Sequence, residues 1–434
     1  MKCRYACQSA EHLTSRRSFL SGMAAGSAGL AAGLGGMGLG GMLASNPAIA
    51  SQVQARHKKI LNIFLHGGVS QLESWDPKPN TDTGGPFRAI PTSAPGIHIS
   101  ELLPHTAKQM HHLSIVRSLN TKNGDHGRGT VEMMTGHKET PGTEYPHLGA
   151  VVAKSLMRPD FALPGHILIR GGGPGASSAA YLGPKYSSVV MNGGQPPAFT
   201  ERPATLSLES DQRRNAFRAR LNDRFAARRR TADTDAYTFS YEQAQSLLAQ
   251  RQVFEVSRES EADQERYGTS EFGRHCLLAR RLLEHDVPFV QINHSNYDTH
   301  FENFDFHIEQ LGEFDQPFAN LVADLADRGL LEETLICVMS EFGRTPRINN
   351  RYGRDHWGTA WSVVLGGTGI QPGAVYGKTN ENGTAVEDGE CDHGHIFHTL
   401  LQAVGIDSTA EFDIGGQPFP VADPAKGPLW DVLT

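Results

Sequence analysis

The sequence predicts an α/β protein, a three-layer α/β/α sandwich around a largely parallel sheet. Short apolar runs recur along the 434 residues, and helical patterns separate several of them. Alternation of that kind favours βα units over an antiparallel meander. The clearest run, Thr334 to Met339, has the length and β-branched content of a strand covered on both faces. Acids and histidines gather just beyond the ends of several runs, where open α/β sheets bind ligands.

The chain begins with a leader. Thr14 to Leu20 contains the pair Arg16 and Arg17, and an almost charge-free Ala/Gly/Leu/Met stretch, Met23 to Leu43, follows. Ala48 and Ala50 supply the small residues that a signal peptidase reads. Together these predict a twin-arginine export signal over residues 1–50, removed from a mature domain of residues 51–434. The apolar stretch is Gly-rich and only weakly hydrophobic, so no stable membrane span is expected after processing. Export by this route implies a periplasmic or extracellular place, with the twin-arginine machinery as a partner.

In the mature part, Lys58 to Leu65 is the first expected strand, turned at its end by Gly67 and Gly68. Leu113 to Val116, His166 to Arg170, Val287 to Ile292, Leu335 to Met339 and Trp361 to Leu365 are the others. Helices are expected over Phe314 to Leu325 and Ile396 to Val404. Residues 207–283 are strongly charged and helical in pattern, and predict a solvated helical insertion. Gly171 to Ser178 is glycine-rich but lacks the lysine of a phosphate loop and the setting of a dinucleotide site, so a flexible surface loop is expected.

Composition excludes some functions. The whole chain has 40 Lys/Arg against 47 Asp/Glu, a net charge of −7. Residues 1–50 hold four of the bases and one acid, leaving a mature net near −10. No general nucleic-acid partner is expected of such a chain. Cys276, Cys337 and Cys391 remain after the leader, with neither a disulfide framework nor zinc-finger spacing.

The 20 histidines carry most of the chemical interest. His66, Ser70, Glu73 and Asp76 follow the first strand. Asp125, His126, Arg128 and Thr130 stand among glycines before a helix, a setting suited to an anion or a metal. Asp298 and His300 follow the strand ending at Ile292, and Glu341 ends the next, with Asp355 and His356 downstream. Cys391 to His395 is a fifth group. Oxygen and nitrogen donors converging on one sheet edge would form a mono- or dinuclear site for a divalent metal ion. Its identity stays open among zinc, manganese, calcium and magnesium.

The passage from Asp315 through Glu341 to Pro346 resembles the helix–Gly–Leu–strand passage of sulfatases and other alkaline phosphatase superfamily members, where an acid and a histidine bind metal. Glu341 matches the acid, and Phe342 occupies the histidine position. The segments His66 to Lys78, Tyr145 to Gly149, Glu265 to Gly268, Cys276 to Val290, Tyr297 to Asn303, Ser340 to Pro346 and Gly353 to Gly358 resemble the domain of unknown function 1501 family, assigned to that superfamily. The resemblance runs from about Ile60 to Ile406. It implies an alkaline phosphatase-type sandwich and a metal-dependent hydrolase of sulfate or phosphate esters, with an anionic small molecule or glycan ester as substrate. The clusters at the strand ends make Asp298, His300, Glu341, Asp355 and His356 the leading metal-ligand candidates, with His66 and His126 behind them. His126 stands where a sulfatase nucleophile would fall, and no formylglycine motif is present. Thr130 and Ser70 are the hydroxyl alternatives, and Arg344 or Arg128 would pair with the anionic substrate. The alternative is a non-catalytic relative that binds an anionic glycan or a partner protein.

Overall fold

A computed structural model describes residues 57–192, 195, 201–227 and 232–434. The expected leader lies outside these residues, as do Arg228, Arg229 and Arg230. Eight strands form the central sheet: β1 (Lys59–Leu65), β2 (Leu113–Leu119), β3 (His166–Arg170), β4 (Val189–Asn192), β5 (Phe289–His294), β6 (Thr334–Met339), β7 (Trp361–Gly367) and β8 (Val375–Tyr376). Their spatial order is β8-β2-β7-β6-β1-β5-β3-β4. β7 runs antiparallel to both neighbours, and the remaining pairings are parallel. The expected strands are all present. β5 starts and ends two residues later than expected, and the short β4 and β8 were not expected at all.

Eight α-helices of seven residues or more lie among the described residues: α1 (His126–Thr135), α2 (Leu148–Leu156), α3 (Leu208–Ala226), α4 (Ala232–Ala249), α5 (Glu261–Tyr267), α6 (Glu271–Glu284), α7 (Asn303–Asp327) and α8 (His393–Ala403). β1 shows why three layers form. Every residue of it is buried, and successive side chains alternate between two cores. Leu61, Ile63 and Leu65 pack with Cys276 and Leu282 of α6 and Phe314 and Leu321 of α7. Ile60 and Phe64 pack on the other face with Val151 of α2 and Leu400 of α8. Each such fully buried side chain contributes about 2 kcal/mol.

The expected insertion divides in two. Most described positions of α3 are exposed. By contrast α6 buries Phe272, Cys276, Leu278 and Leu282 in the core, and it leads directly into β5. Glu271 and Arg274 are exposed, while Arg280 is buried against Glu259 and Asp324, so charge density misplaced the helix outside the core. α8 begins at His393, three residues before the expected start, because Asp392 caps it and His395 completes the capping box. The glycine-rich loop after β3 is held rather than loose: Gly171 O accepts from Ser295 Oγ at 2.9 Å, and Gly172 O and Pro174 O accept from Asn293 Nδ2.

β1, β5 and β6 set the site. Leu65 is level with His294, and Phe64 with both Asn293 and Met339. The chain therefore leaves the sheet at one edge three times, at His66, Ser295 and Ser340.

Candidate metal centre

Five segments deliver side chains to that edge. His66 follows β1, His126 opens α1, and Asp298 and His300 follow β5. Glu341 follows β6, and a two-stranded ribbon, Gly343–Arg344 against His356–Trp357, returns His356 to the same place. Gly67, at φ 115°, makes the turn that lets the β1 and β5 loops touch. A Cβ there would lie 2.5 Å from the backbone nitrogen of Asp298.

The donor atoms form two overlapping groups that share His126. In the first, His126, Asp298 and His356 bring ligand atoms within 4.8 Å of one another; His66, His126 and Glu341 do so in the second. His126 Nε2 is 3.3 Å from Asp298 Oδ2, and His126 Nδ1 is 2.7 Å from Glu341 Oε1. His66 Nε2 lies 3.8 Å from that same carboxylate oxygen. Glu341 is fully buried, and its Oε1 also accepts the Gly67 N–H at 2.8 Å.

His300, outside both groups, approaches His356 and Asp298, and the hydrogen bonds of the two histidines decide what that trio can hold. His300 Nδ1 donates to Asp355 Oδ1 at 2.8 Å. His356 Nδ1 donates to the Gly124 carbonyl at 2.6 Å. Both partners only accept, so each neutral ring carries its proton on Nδ1 and a lone pair on Nε2. Those two Nε2 atoms are 2.9 Å apart. Asp298 Oδ1 lies 3.2 Å from one and 3.1 Å from the other. Three lone-pair donors aimed at one point repel unless a cation lies among them. Burial pushes the His356 imidazole below its ordinary pKa, which favours its neutral, ligating form. Neighbouring ligands around a tetrahedral ion bound at about 2.0–2.1 Å are separated by about 3.3 Å, close to these spacings. The residues present therefore fit a divalent metal.

Charge around the centre is arranged to match. Burial works to raise the Asp298 carboxyl, but the hydrogen bond and charge of Arg344, joined by His356, hold it at about 2. The hydrogen bond to Glu341 raises His126 above an ordinary histidine, against the effect of burial. Asp355 orients His300 and is itself held by Asn349 Nδ2 at 3.2 Å. A carboxylate behind a ligating histidine fixes its tautomer and strengthens it as a donor.

Several expected roles change. Arg344 was expected to meet substrate. Instead it is fully buried, with Nε donating to Gly68 O at 2.9 Å and a terminal nitrogen donating to Asp298 Oδ1 at 2.6 Å. Its remaining donors serve the carbonyls of Arg354 and Gly67. It is a positioning residue, because no N–H is left facing solvent. Ser70 is fully buried behind the turn, where its N–H donates to His307 Nε2, and so is closed to substrate. Thr130 is buried within α1, one turn past His126. Asp355 acts through His300 in this arrangement. Glu73 and Asp76 turn inward, Glu73 to Arg354 at 2.7 Å and Asp76 to Lys78 at 3.1 Å. Arg128, two residues past His126 on α1, is exposed and lies 3.6 Å from Glu139.

Phe342 backs the histidines. Its ring lies 4.8 Å from that of His126 and 4.5 Å from that of His356. Gly68 leaves the space for it, since a Cβ there would come within 2.6 Å of the phenyl ring. The contributions of Gly124 and Asn349 were not anticipated. A carbonyl acceptor has no side-chain signature, and Asn349 lies in a polar loop without a recognisable pattern.

The family model described as a protein of unknown function, DUF1501, matches residues 57–433, and the chain belongs to that family. No curated protein matches it in sequence. Among solved structures it is similar to the lipoteichoic acid synthase LtaP from Listeria monocytogenes, at 7% identity and a TM-score of 0.39, covering 85% of this chain and 76% of that one. It is also similar to the PsFucS1 sulfatase from Pseudoalteromonas sp., at 15% identity and a TM-score of 0.37, covering 84% and 71%. A third is the phosphonate monoester hydrolase SpPMH from Silicibacter pomeroyi, at 13% identity and a TM-score of 0.39, covering 81% and 74%. At scores this low the likeness carries no chemistry, which rests on the side-chain geometry above.

Proposed function

We propose that this member of the DUF1501 family is an exported, metal-dependent hydrolase of sulfate or phosphate esters. The observation that supports it is the convergence of two imidazole lone pairs and a carboxylate oxygen, from His300, His356 and Asp298, at one sheet edge. His126, His66 and Glu341 extend the donor set. Imidazole-rich sets suit zinc better than calcium, magnesium or manganese, which prefer oxygen. A bound divalent ion lowers the pKa of water and neutralises charge on an ester oxygen. Asp355 and Gly124 O hold the two imidazoles in the ligating tautomer, and Arg344 fixes Asp298. Arg128, exposed nearby on α1, is placed to meet an anionic small-molecule or glycan ester. With Ser70 and Thr130 buried, the nucleophile in this reading is water.

Residues 1–50 are the twin-arginine signal in this proposal, and 51–434 the catalytic-type domain. Among the described residues no helix is long and apolar enough to cross a membrane. A reporter fused behind the leader should reach the periplasm, and Arg16→Lys with Arg17→Lys should abolish this.

The absence of an open hydroxyl nucleophile in the cluster favours one second reading, a metal-dependent binder of anionic glycans without turnover. Metal analysis of the purified chain, combined with a panel of aryl sulfates and phosphates, separates the two. The hydrolase predicts at least one divalent ion per chain and turnover that folded Asp298→Ala lacks. Stoichiometric metal with no turnover on any ester would leave the binder. Metal well below one per chain after reconstitution would sink both.

A further inference from the structure

The group Cys391 to His395 plays no part in the centre just described. It opens α8 beside the far end of α1, which starts at His126 and ends at Thr135. There a cavity of about 530 Å³ opens between the loop after α1, the start of α8 and the C-terminal segment. Ligand pockets have this size.

Two features make it more than a surface dip. First, one of its lining side chains has a polar atom with nothing to bond, and a second such atom lies just behind it. His393 is 2% exposed and lines the cavity, and its Nδ1 has no hydrogen-bond partner. Glu132, at the end of α1, is 6% exposed, and its Oε2 is likewise unpartnered, 3.8 Å from His393 Nδ1. Leaving such groups unmatched costs about 1–3 kcal/mol each, so the place is prepared for hydrogen-bonding groups from elsewhere. Burial raises the Glu132 carboxyl and lowers the His393 imidazole to about 4, leaving the latter neutral.

Second, the walls are aromatic and cationic. His137 stacks on Tyr145 at 4.0 Å with the planes 5° apart, and Tyr181 stacks on Phe419 at 4.5 Å. Lys138 is exposed at the rim, and Lys426 lines the wall, paired with Asp392 at 2.5 Å. A ligand for this cavity needs an anionic group for the lysines, hydroxyls for the unmatched His393 nitrogen and an apolar ring face for the aromatic walls. Inorganic phosphate lacks the ring face, and a simple aromatic acid lacks the hydroxyls.

The geometry points to a second binding site, separate from the metal centre, for an acidic sugar: a ring carrying hydroxyls and a carboxylate or ester anion. One sugar ring lies against the aromatic walls, its hydroxyls reach His393, and its anion reaches Lys138. The site needs no turnover at the metal centre, and it is independent of the hydrolase reading.

Isothermal titration of the full mature chain with sodium glucuronate, glucose and benzoate tests it. Glucuronate should saturate at one site per chain, with glucose and benzoate each weaker by about tenfold, the loss expected for one charge-assisted contact or one hydroxyl set. Lys138→Ala, a rim substitution that buries nothing, should weaken glucuronate by about tenfold. Asp298→Ala, at the metal centre, should leave glucuronate affinity within about twofold, as expected of distant independent sites. Absence of saturable glucuronate binding would overturn the site. So would binding lost in Asp298→Ala and kept in Lys138→Ala, or equal affinity for benzoate.

Discussion

Arg344→Lys separates a residue that builds the site from one that grips substrate. The arginine spends its fork on four chain acceptors: Gly68 O, Arg354 O, Gly67 O and Asp298 Oδ1. Lysine keeps the charge but has a single nitrogen on an unbranched stem, and it cannot span acceptors on three segments. If it retains two contacts, two buried acceptors lose theirs. At about 1–1.5 kcal/mol each, the chain loses about 2–3 kcal/mol. A protein of this kind has about 5–15 kcal/mol in hand, so the variant folds and the loss is measurable. Urea unfolding followed by circular dichroism should show a lower midpoint with an unchanged slope. Metal content should fall as well, since Asp298 loses its anchor. A midpoint equal to that of the parent chain, with the only defect a raised KM for an anionic ester, would refute the positioning role and restore Arg344 to the substrate.

Other perturbations follow from the same geometry. Glu73→Gln strands the fully buried Arg354 guanidinium, and the midpoint of urea unfolding should drop by an equivalent of about 3–5 kcal/mol. Gly67→Ala forces a Cβ against the Asp298 backbone at a positive φ; it should cost about 1–3 kcal/mol in thermal unfolding and reduce metal content. Asp392 caps α8, and although burial opposes it, His395 and Lys426 depress its pKa below the usual carboxylate range. A depressed carboxyl contributes stability above its unfolded pKa of about 3.9 and loses it as pH falls through the folded value. Asp392→Ala should therefore cost about 1–2 kcal/mol at neutral pH. That difference should shrink on acidification below about pH 4, as read from unfolding midpoints across a pH series.

The parts of the molecule legible in its sequence are those that local chemistry determines. β6 announces itself because all six positions are buried and five of them, Leu335 to Met339, form an unbroken apolar run. β8, two residues long, has too little chain to carry a pattern. The reversed direction of β7 depends on which neighbours it finds, and no local property encodes that. In the site, Asp298, His300 and His356 could be singled out because acids and histidines stand just past strands. The roles could not be divided, because they depend on partners far along the chain. Glu73 and Asp298 look equivalent in sequence, yet one meets Arg354 from 281 positions away and is sealed. The other meets Arg344 and keeps one side open to the cluster. His126 appeared as the substitute for a nucleophile, and only three dimensions show it bridging two acids.

The position of β1 has a consequence for how the chain is made. It is the first strand synthesised, and it ends up between β5 and β6 in the middle of the sheet. The contact from Gly67 N to Glu341 spans 274 residues. While the ribosome extends the chain, β1 has no sheet partner until β5 has emerged, and its other edge stays open until β6 follows. Closure over such distances is slow, and exposed strands invite association with other chains. Nascent-chain protection of this one segment, rather than of the chain as a whole, sets how much of the protein reaches its finished form.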